Sequence, residues 1–307
     1  MVAPSGDQFE IVAGSYRAVV TESGAALRVL EHGGRPLLHG FGEDEMSTAG
    51  RGQLLMPWPN RIRDGVYRFG DRDHRLGLSE PGQGHAIHGL VRWAAWAPEE
   101  HGGSSVSLSY RLMAQTGYPW TLDLHVLYDL SADGLTVTQT ATNLADRPAP
   151  YASGAHPYLT AGPAPVDGWE LTLPAARRLL ADERQIPTGE EEVTGTPYDF
   201  RVSRPLRDTR LDDGFGDLER DDAGIATAHV RDPATGRGAA LWVDRHHPWL
   251  MVFTGDAGWD PPRQALAVEP MTAPPDAFRS GRDLLTLAPA GQPGDEVSVS
   301  WGIRALE

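Results

Sequence analysis

The 307-residue sequence contains no cysteine, which removes a disulfide framework, a thiolate zinc site and a cysteine nucleophile at once. No apolar run approaches the ~18 residues of a membrane-spanning helix. The opening residues, Met-Val-Ala-Pro-Ser-Gly-Asp-Gln, lack the basic and apolar regions of a secretion signal, so a cytoplasmic protein is expected. Positive charge is scarce: 27 Lys and Arg against 42 Asp and Glu leave a formal charge of −15. Without a basic patch, such a chain is not expected to bind nucleic acid or an anionic membrane, because both depend on counterion release at clustered cations. A repeat of fixed period is missing too, which argues against a propeller or solenoid. There is no His-Glu-x-x-His spacing, and the adjacent His246 and His247 would point to opposite sides of a strand, so no metal is expected. Gly214-Phe215-Gly216 lacks the strand-to-helix setting and further glycines of a nucleotide loop. What remains is a small, neutral or weakly charged partner handled without metal or cofactor.

What is abundant is turn chemistry. The 35 glycines and 25 prolines are spread along the chain, as many turns between short strands require. Strict alternation appears at 121–128, where Leu122, Leu124, Val126 and Tyr128 share one side. Ala132-Asp133-Gly134 then supplies a tight turn, and 135–142 reads as the returning strand of a hairpin. Further strands are expected at 16–21, 26–30, 106–112, 170–173, 228–231, 239–243, 250–254, 264–268 and 297–303, with no helical stripe longer than two turns. This spacing predicts an all-β fold, a large antiparallel β-sandwich formed by residues 1–307 as a single domain. Two stretches, 56–89 and 174–210, read as long irregular loops, which in compact domains are usually functional.

Several polar clusters could carry chemistry. Pro57 and Pro59 stiffen the chain ahead of Asn60 and Arg61, an amide and a guanidinium suited to sugar hydroxyls; the alternative is a turn whose arginine pairs with a surface carboxylate. His88 precedes Gly89 and stands near Trp93 and Trp96, which read as core residues rather than stacking platforms. Pro157 biases His156 toward an extended backbone, so its imidazole projects at a fixed angle from a strand or its end. An imidazole can give or take a proton near neutrality, or be a buried structural group. In 264–270 the strand period puts Ala265, Ala267 and Glu269 on one face, with Leu266 and Val268 on the other. Two alanines leave open space above that carboxylate, and Pro270 is expected to end normal pairing. Asp212 and Asp213 read as a solvated acidic pair.

In this order the clusters resemble the aldose 1-epimerase, or galactose mutarotase, family. Asn60-Arg61-Ile62 with Gly65 and Tyr67, His88-Gly89, His156-Pro157-Tyr158, Leu211-Asp212 with Phe215, and Glu269 near the end carry the likeness, over about residues 52–303. The resemblance implies a β-sandwich enzyme that interconverts α and β anomers of a free sugar. It implies Glu269 as general base at the C1 hydroxyl and His156 as general acid at the ring oxygen. His88 and Arg61 would hold the region around C1, with Asn60 and Asp212 bonding other hydroxyls. Met251 stands where many members carry a glutamine, and the Trp-Pro-Asn-Arg and His-Gly-Leu-Val-Arg-Trp variants suggest a separate branch. There Arg92 could meet an anionic substituent, a sulfonate or a carboxylate. Two alternatives are a hexose-6-phosphate mutarotase, whose pocket would need two or more arginines, and a non-catalytic carbohydrate-binding protein.

Overall fold

A computed structural model describes residues 2–257 and 261–307. The fold is the expected large antiparallel β-sandwich, and every strand pair in it is antiparallel. Nine strands form the first large sheet, centred on the hairpin Leu122–Ser131 and Gly134–Asn143 and continuing through Glu296–Leu306 to Gly238–Val243. The two residues between the hairpin strands, Ala132 and Asp133, make the tight turn anticipated there. Strict in-and-out burial along Leu122–Ser131 follows from its alternating sequence. Among the described residues the one α-helix is Ala277–Ser280, and no helix is long and apolar enough to cross a membrane.

The second large sheet runs from Pro187–Glu192 through Ala175–Ala181, Asp212–Leu218 and Trp249–Phe253 to Leu266–Met271 and the short strands beyond it. Its inner face meets the first sheet: Leu250, Val252, Leu266 and Val268 share one buried apolar cluster with Val126, Val137, Leu241 and Trp301. A buried polar bridge also crosses this interface. Trp301 donates its indole N–H to the Gln139 amide oxygen at 3.0 Å, and the Gln139 amide nitrogen donates to the Gly154 carbonyl at 3.2 Å. With both ends of Gln139 satisfied, its burial carries little penalty. The bridge fixes the backbone two residues before His156.

The sequence expectation fails in two places. Residues 174–210 are not one irregular loop, since Ala175–Ala181 pairs with Pro187–Glu192 at the sheet edge. There Arg178 meets Glu191 at 2.7 Å across the strands, and cross-strand charge replaces the apolar alternation by which a strand is recognised. Pro270 does not end its strand either, because Leu250 pairs with Pro270 and the strand runs on to Met271. Val268 and Thr272 donate their N–H groups toward Pro157 and Ser153. By the two-residue period the donor missing from Pro270 faces that same broken neighbour, and the ladder to Trp249–Phe253 stays intact. The stretch 56–89 also carries short pairs, Arg61–Arg63 with His85–Ile87 and Val66–Phe69 with Arg72–Arg75.

Leu241 lies fully buried on a central strand of the first sheet. Leu241→Ala should cost about 2–5 kcal/mol of unfolding free energy in urea titrations, whereas exposed Val202→Ala should stay within about 0.5 kcal/mol.

Candidate active site

The strand Leu266–Met271 has two chemically different sides. Leu266 and Val268 belong to the sandwich core, while Ala265 and Ala267 pack with Tyr158 on the other face, the face of Glu269. The alternation expected of this segment is therefore realised, but the two alanines are buried against Tyr158 and do not line the cavity beside the carboxylate. Met251 is the direct cross-strand partner of Glu269, and Asp212 pairs with Phe253 on the next strand over. Asp212 is partly buried in the cavity wall and Asp213 pairs with Arg178 at 3.1 Å, so neither is the solvated pair expected from the charge run.

His156 sits at the break between Gly154–Ala155 and Tyr158–Leu159. Its backbone N–H donates to the Gln53 carbonyl and its own carbonyl accepts from Gly52. Tyr158 stacks on the imidazole, with centroids 4.9 Å apart and planes 20° apart. Gly50 closes the other side: at φ +76°, a Cβ there would lie 2.8 Å from His156 Cδ2, so only glycine lets the chain come this close. The imidazole Nε2 is 3.3 Å from Glu269 Oε1, and both side chains are almost wholly buried.

The strand pair Arg61–Arg63 and His85–Ile87 delivers the remaining groups. Asn60 and His88, both with positive φ, face each other at its end. His88 N–H donates to the Asn60 carbonyl at 2.9 Å, and Asn60 N–H donates to His88 Nδ1 at 3.2 Å. Gly89 follows with φ +71°, where a Cβ would strike the Met56 carbonyl oxygen at 2.0 Å. His88 lies with its ring 5.3 Å from that of His156, edge to face. Arg61 makes a two-point ion pair with Glu80, its Nε and one terminal nitrogen each 2.8 Å from a carboxylate oxygen.

A cavity of about 540 Å³ is walled by Asn60, Arg61, His88, Arg92, His156, Asp212 and Glu269 together. All seven residues singled out in the sequence thus converge on it. Sequence reasoning missed Glu80, Gly50 and Met46, which also line it. Trp96 is buried as expected, but Trp93 is 53% exposed at the cavity wall and is not a core residue.

The aldose 1-epimerase family profile matches residues 7–299. The chain belongs to the aldose 1-epimerase family. It is 35% identical over 290 residues to the uncharacterised YihR protein of Escherichia coli K12, covering 94% of this chain and 91% of that one. Among solved structures it is similar to a GalM/aldose epimerase homologue from C. elegans, with TM-score 0.86, 21% identity and coverage of 97% and 98% of the two chains. It is also similar to a galactose 1-epimerase from Lactobacillus acidophilus, with TM-score 0.77, 20% identity and coverage of 95% and 91%.

Within this family member, burial dominates the electrostatics of the pair. It pulls the His156 imidazole down to about 3, with the charge of Arg92 adding to the effect. It pushes the Glu269 carboxyl well above the usual range, assisted by Asp212 and opposed by Arg61. His88 is likewise held neutral by burial, then by His156 and Arg92. Both members of the pair therefore favour their uncharged forms.

His88, His156 and Glu269 also bring three ligand-type atoms within 4.8 Å of one another, a juxtaposition hidden in the linear spacing. His88 fits a metal poorly. Its Nδ1 accepts from the Asn60 N–H, so the neutral ring carries its proton on Nε2 and has no second lone pair to offer. Two ligands would remain.

Glu269 Oε2 is buried without a hydrogen-bond partner, and the thioether of Met251 opposite it is at best a weak acceptor. Met251→Gln would place an amide donor there. The Glu269 carboxyl, followed by ¹³C NMR titration, is expected to titrate well above 4.5 in the wild type and to move down in Met251→Gln. An unchanged midpoint would show that Met251 has no hand in it.

Proposed function

We propose that this protein is an aldose 1-epimerase that interconverts the α and β anomers of a free pyranose by acid–base ring opening and reclosure. The observation carrying this reading is the 3.3 Å approach of His156 Nε2 to Glu269 Oε1 at the wall of an open cavity. A carboxylate and an imidazole so close can address two oxygens on one carbon, and the anomeric carbon bears the C1 hydroxyl and the ring oxygen. Once the proton of the pair has passed from Glu269 to His156 across their 3.3 Å contact, Glu269 takes the C1 hydroxyl proton as the carbonyl forms, the bond from C1 to the ring oxygen breaks, and His156 delivers the proton it received to that oxygen. Rotation about the C1–C2 bond and reversal of the transfers close the ring on the opposite face. After opening, the proton rests on the carboxyl and the imidazole is neutral. Burial favours that same distribution, so the desolvated site is matched to the open-chain form. His88 turns an N–H toward the sugar, and Asn60, Arg61 and Asp212 supply donors and an acceptor for the hydroxyls.

Positioned acid–base groups are worth about 10²–10⁴-fold each. Glu269→Gln, checked for unchanged thermal unfolding, is expected to bring anomer exchange of freshly dissolved α-sugars down by that factor, as read by NMR. Wild-type protein that leaves the exchange at the buffer rate across neutral, phosphorylated and acidic aldoses would instead identify a carbohydrate binder. The pH profile follows from the shared proton. Because the imidazole is held down to about 3, the pair takes no second proton near the usual histidine range. kcat/KM should therefore show no acid limb in the usual histidine range and should fall on the alkaline side, as the raised carboxyl gives up the proton that His156 must deliver. An acid limb centred near 6.5 would contradict this protonation scheme.

A further inference from the structure

We propose that Glu80 is a positioning residue for anomer exchange: it holds the Arg61 guanidinium by one edge, so that the other edge is presented to the substrate beside Asp212 and Glu269. The inference rests on the acid–base assignment above and deepens it. A guanidinium has five N–H groups in one plane. Two of those of Arg61, on Nε and one terminal nitrogen, donate to the two carboxylate oxygens of Glu80 at 2.8 Å each. The other three have no acceptor among the described residues, and Arg61 lines the catalytic cavity. On that open side the charges of Asp212 and Glu269 act on Arg61, and its charge acts on both in return. One edge is thus spent on Glu80 and one is left for a ligand.

The backbone around Glu80 is built to hold that carboxylate still. Its N–H donates to the His85 carbonyl at 3.0 Å and its own carbonyl accepts the Gly84 N–H at 2.8 Å, which closes residues 80–85 into a loop. One residue earlier, the Ser79 hydroxyl oxygen accepts the Ile87 N–H at 2.8 Å and the hydroxyl lies 3.2 Å from the Ile87 carbonyl. From outside, Arg184 at the turn of the sheet-edge hairpin donates to the Gln83 carbonyl at 3.0 Å. Ile87 is also the strand partner of Arg61 and the residue before His88. Glu80, Arg61 and His88 therefore share one frame. An exposed ion pair holding two long side chains would do little. Here the side chains are only 11% and 23% exposed and the contact is two-pointed, so the pair fixes direction and spares a ligand the cost of ordering a long arginine. It also tempers charge. Glu269 is faced by Arg61, Asp212, His88 and His156, and Arg61 is the one cation that opposes the rise of its carboxyl. Without Glu80, that opposition would act at full strength.

The test follows anomer exchange by NMR, with whichever aldose the wild type exchanges fastest, and the Glu269 carboxyl by ¹³C titration. Both are measured in wild type, Glu80→Gln, Glu80→Asp, Arg61→Gln and the double variant Glu80→Gln with Arg61→Gln, with thermal unfolding run on each. Glu80→Gln should lower kcat/KM about 10- to 100-fold. It should also move the Glu269 midpoint, and the alkaline limb of the rate, to lower pH, because a cation freed of its counter-ion favours the carboxylate. Arg61→Gln should move that midpoint the opposite way. In the double variant kcat/KM should fall no further than in Arg61→Gln alone, since Glu80 acts only through Arg61. Glu80→Asp keeps the charge one methylene short, and should lose less kcat/KM and leave the midpoint near the wild-type value. Wild-type kcat/KM in Glu80→Gln, a midpoint that stays put, or losses that add in the double variant would overturn the proposal. Should Glu80→Gln not fold, Glu80→Asp decides alone, and unchanged kcat/KM there would overturn it. Absence of exchange by the wild type with every sugar would instead sink the acid–base assignment; the carboxyl midpoints would then still decide whether Glu80 acts through Arg61.

Discussion

A carboxyl and an imidazole lie 3.3 Å apart and almost entirely out of water. Two such groups cannot both stay charged without help from solvent, nor can either ignore the other's proton. The surroundings fit that constraint. The strand Leu266–Met271 anchors the carboxyl from a fully apolar inner face, Tyr158 and Gly50 clamp the imidazole, and Met251 withholds a donor where one could have stabilised the charged carboxylate. Arg61, the obvious cation, is paired with Glu80 and opposes the rise at Glu269 without cancelling it. The site solvates neither charged form.

Much of this was legible in the residues. Alternation over 121–142 located the central hairpin, and the same period in 264–269 separated Leu266 and Val268 from Ala267 and Glu269. Proline after His156 anticipated an imidazole held at a strand break. What escaped has physical causes. The hairpin Ala175–Ala181 with Pro187–Glu192 is stitched by arginine and glutamate across a sheet edge, so its pattern is one of charge rather than hydropathy. Pro270 keeps its place because its missing donor faces a neighbour already broken, a property of the pairing partner that its own flanks cannot reveal. The core reading of Trp93 and the charge-run reading of Asp212 fail for a common reason, although the family resemblance places Asp212 at the site: exposure at a cavity wall is decided by which segments arrive there, and Glu80 joins Arg61 across 19 residues with no motif to announce it.

Charge of both signs lines the cavity. Glu269, Asp212 and Arg92 share its wall with the Arg61–Glu80 pair, in which Arg61 also opposes the rise at Glu269. Trp93, open to solvent beside Arg92, adds an apolar flank to the cavity wall.

The groups that meet in the cavity come from five separated parts of the chain, near residues 60, 88, 156, 212 and 269. The Gln139 bridge from the opposite sheet pins the backbone beside the third of them. Residues 60–92 bring Asn60, Arg61, Glu80 and His88 together locally, but the cavity closes only when the long-range pairings that carry His156, Asp212 and Glu269 have formed. Closure of the cavity therefore reports on completion of the whole fold, a built-in indicator that partly assembled chains cannot imitate.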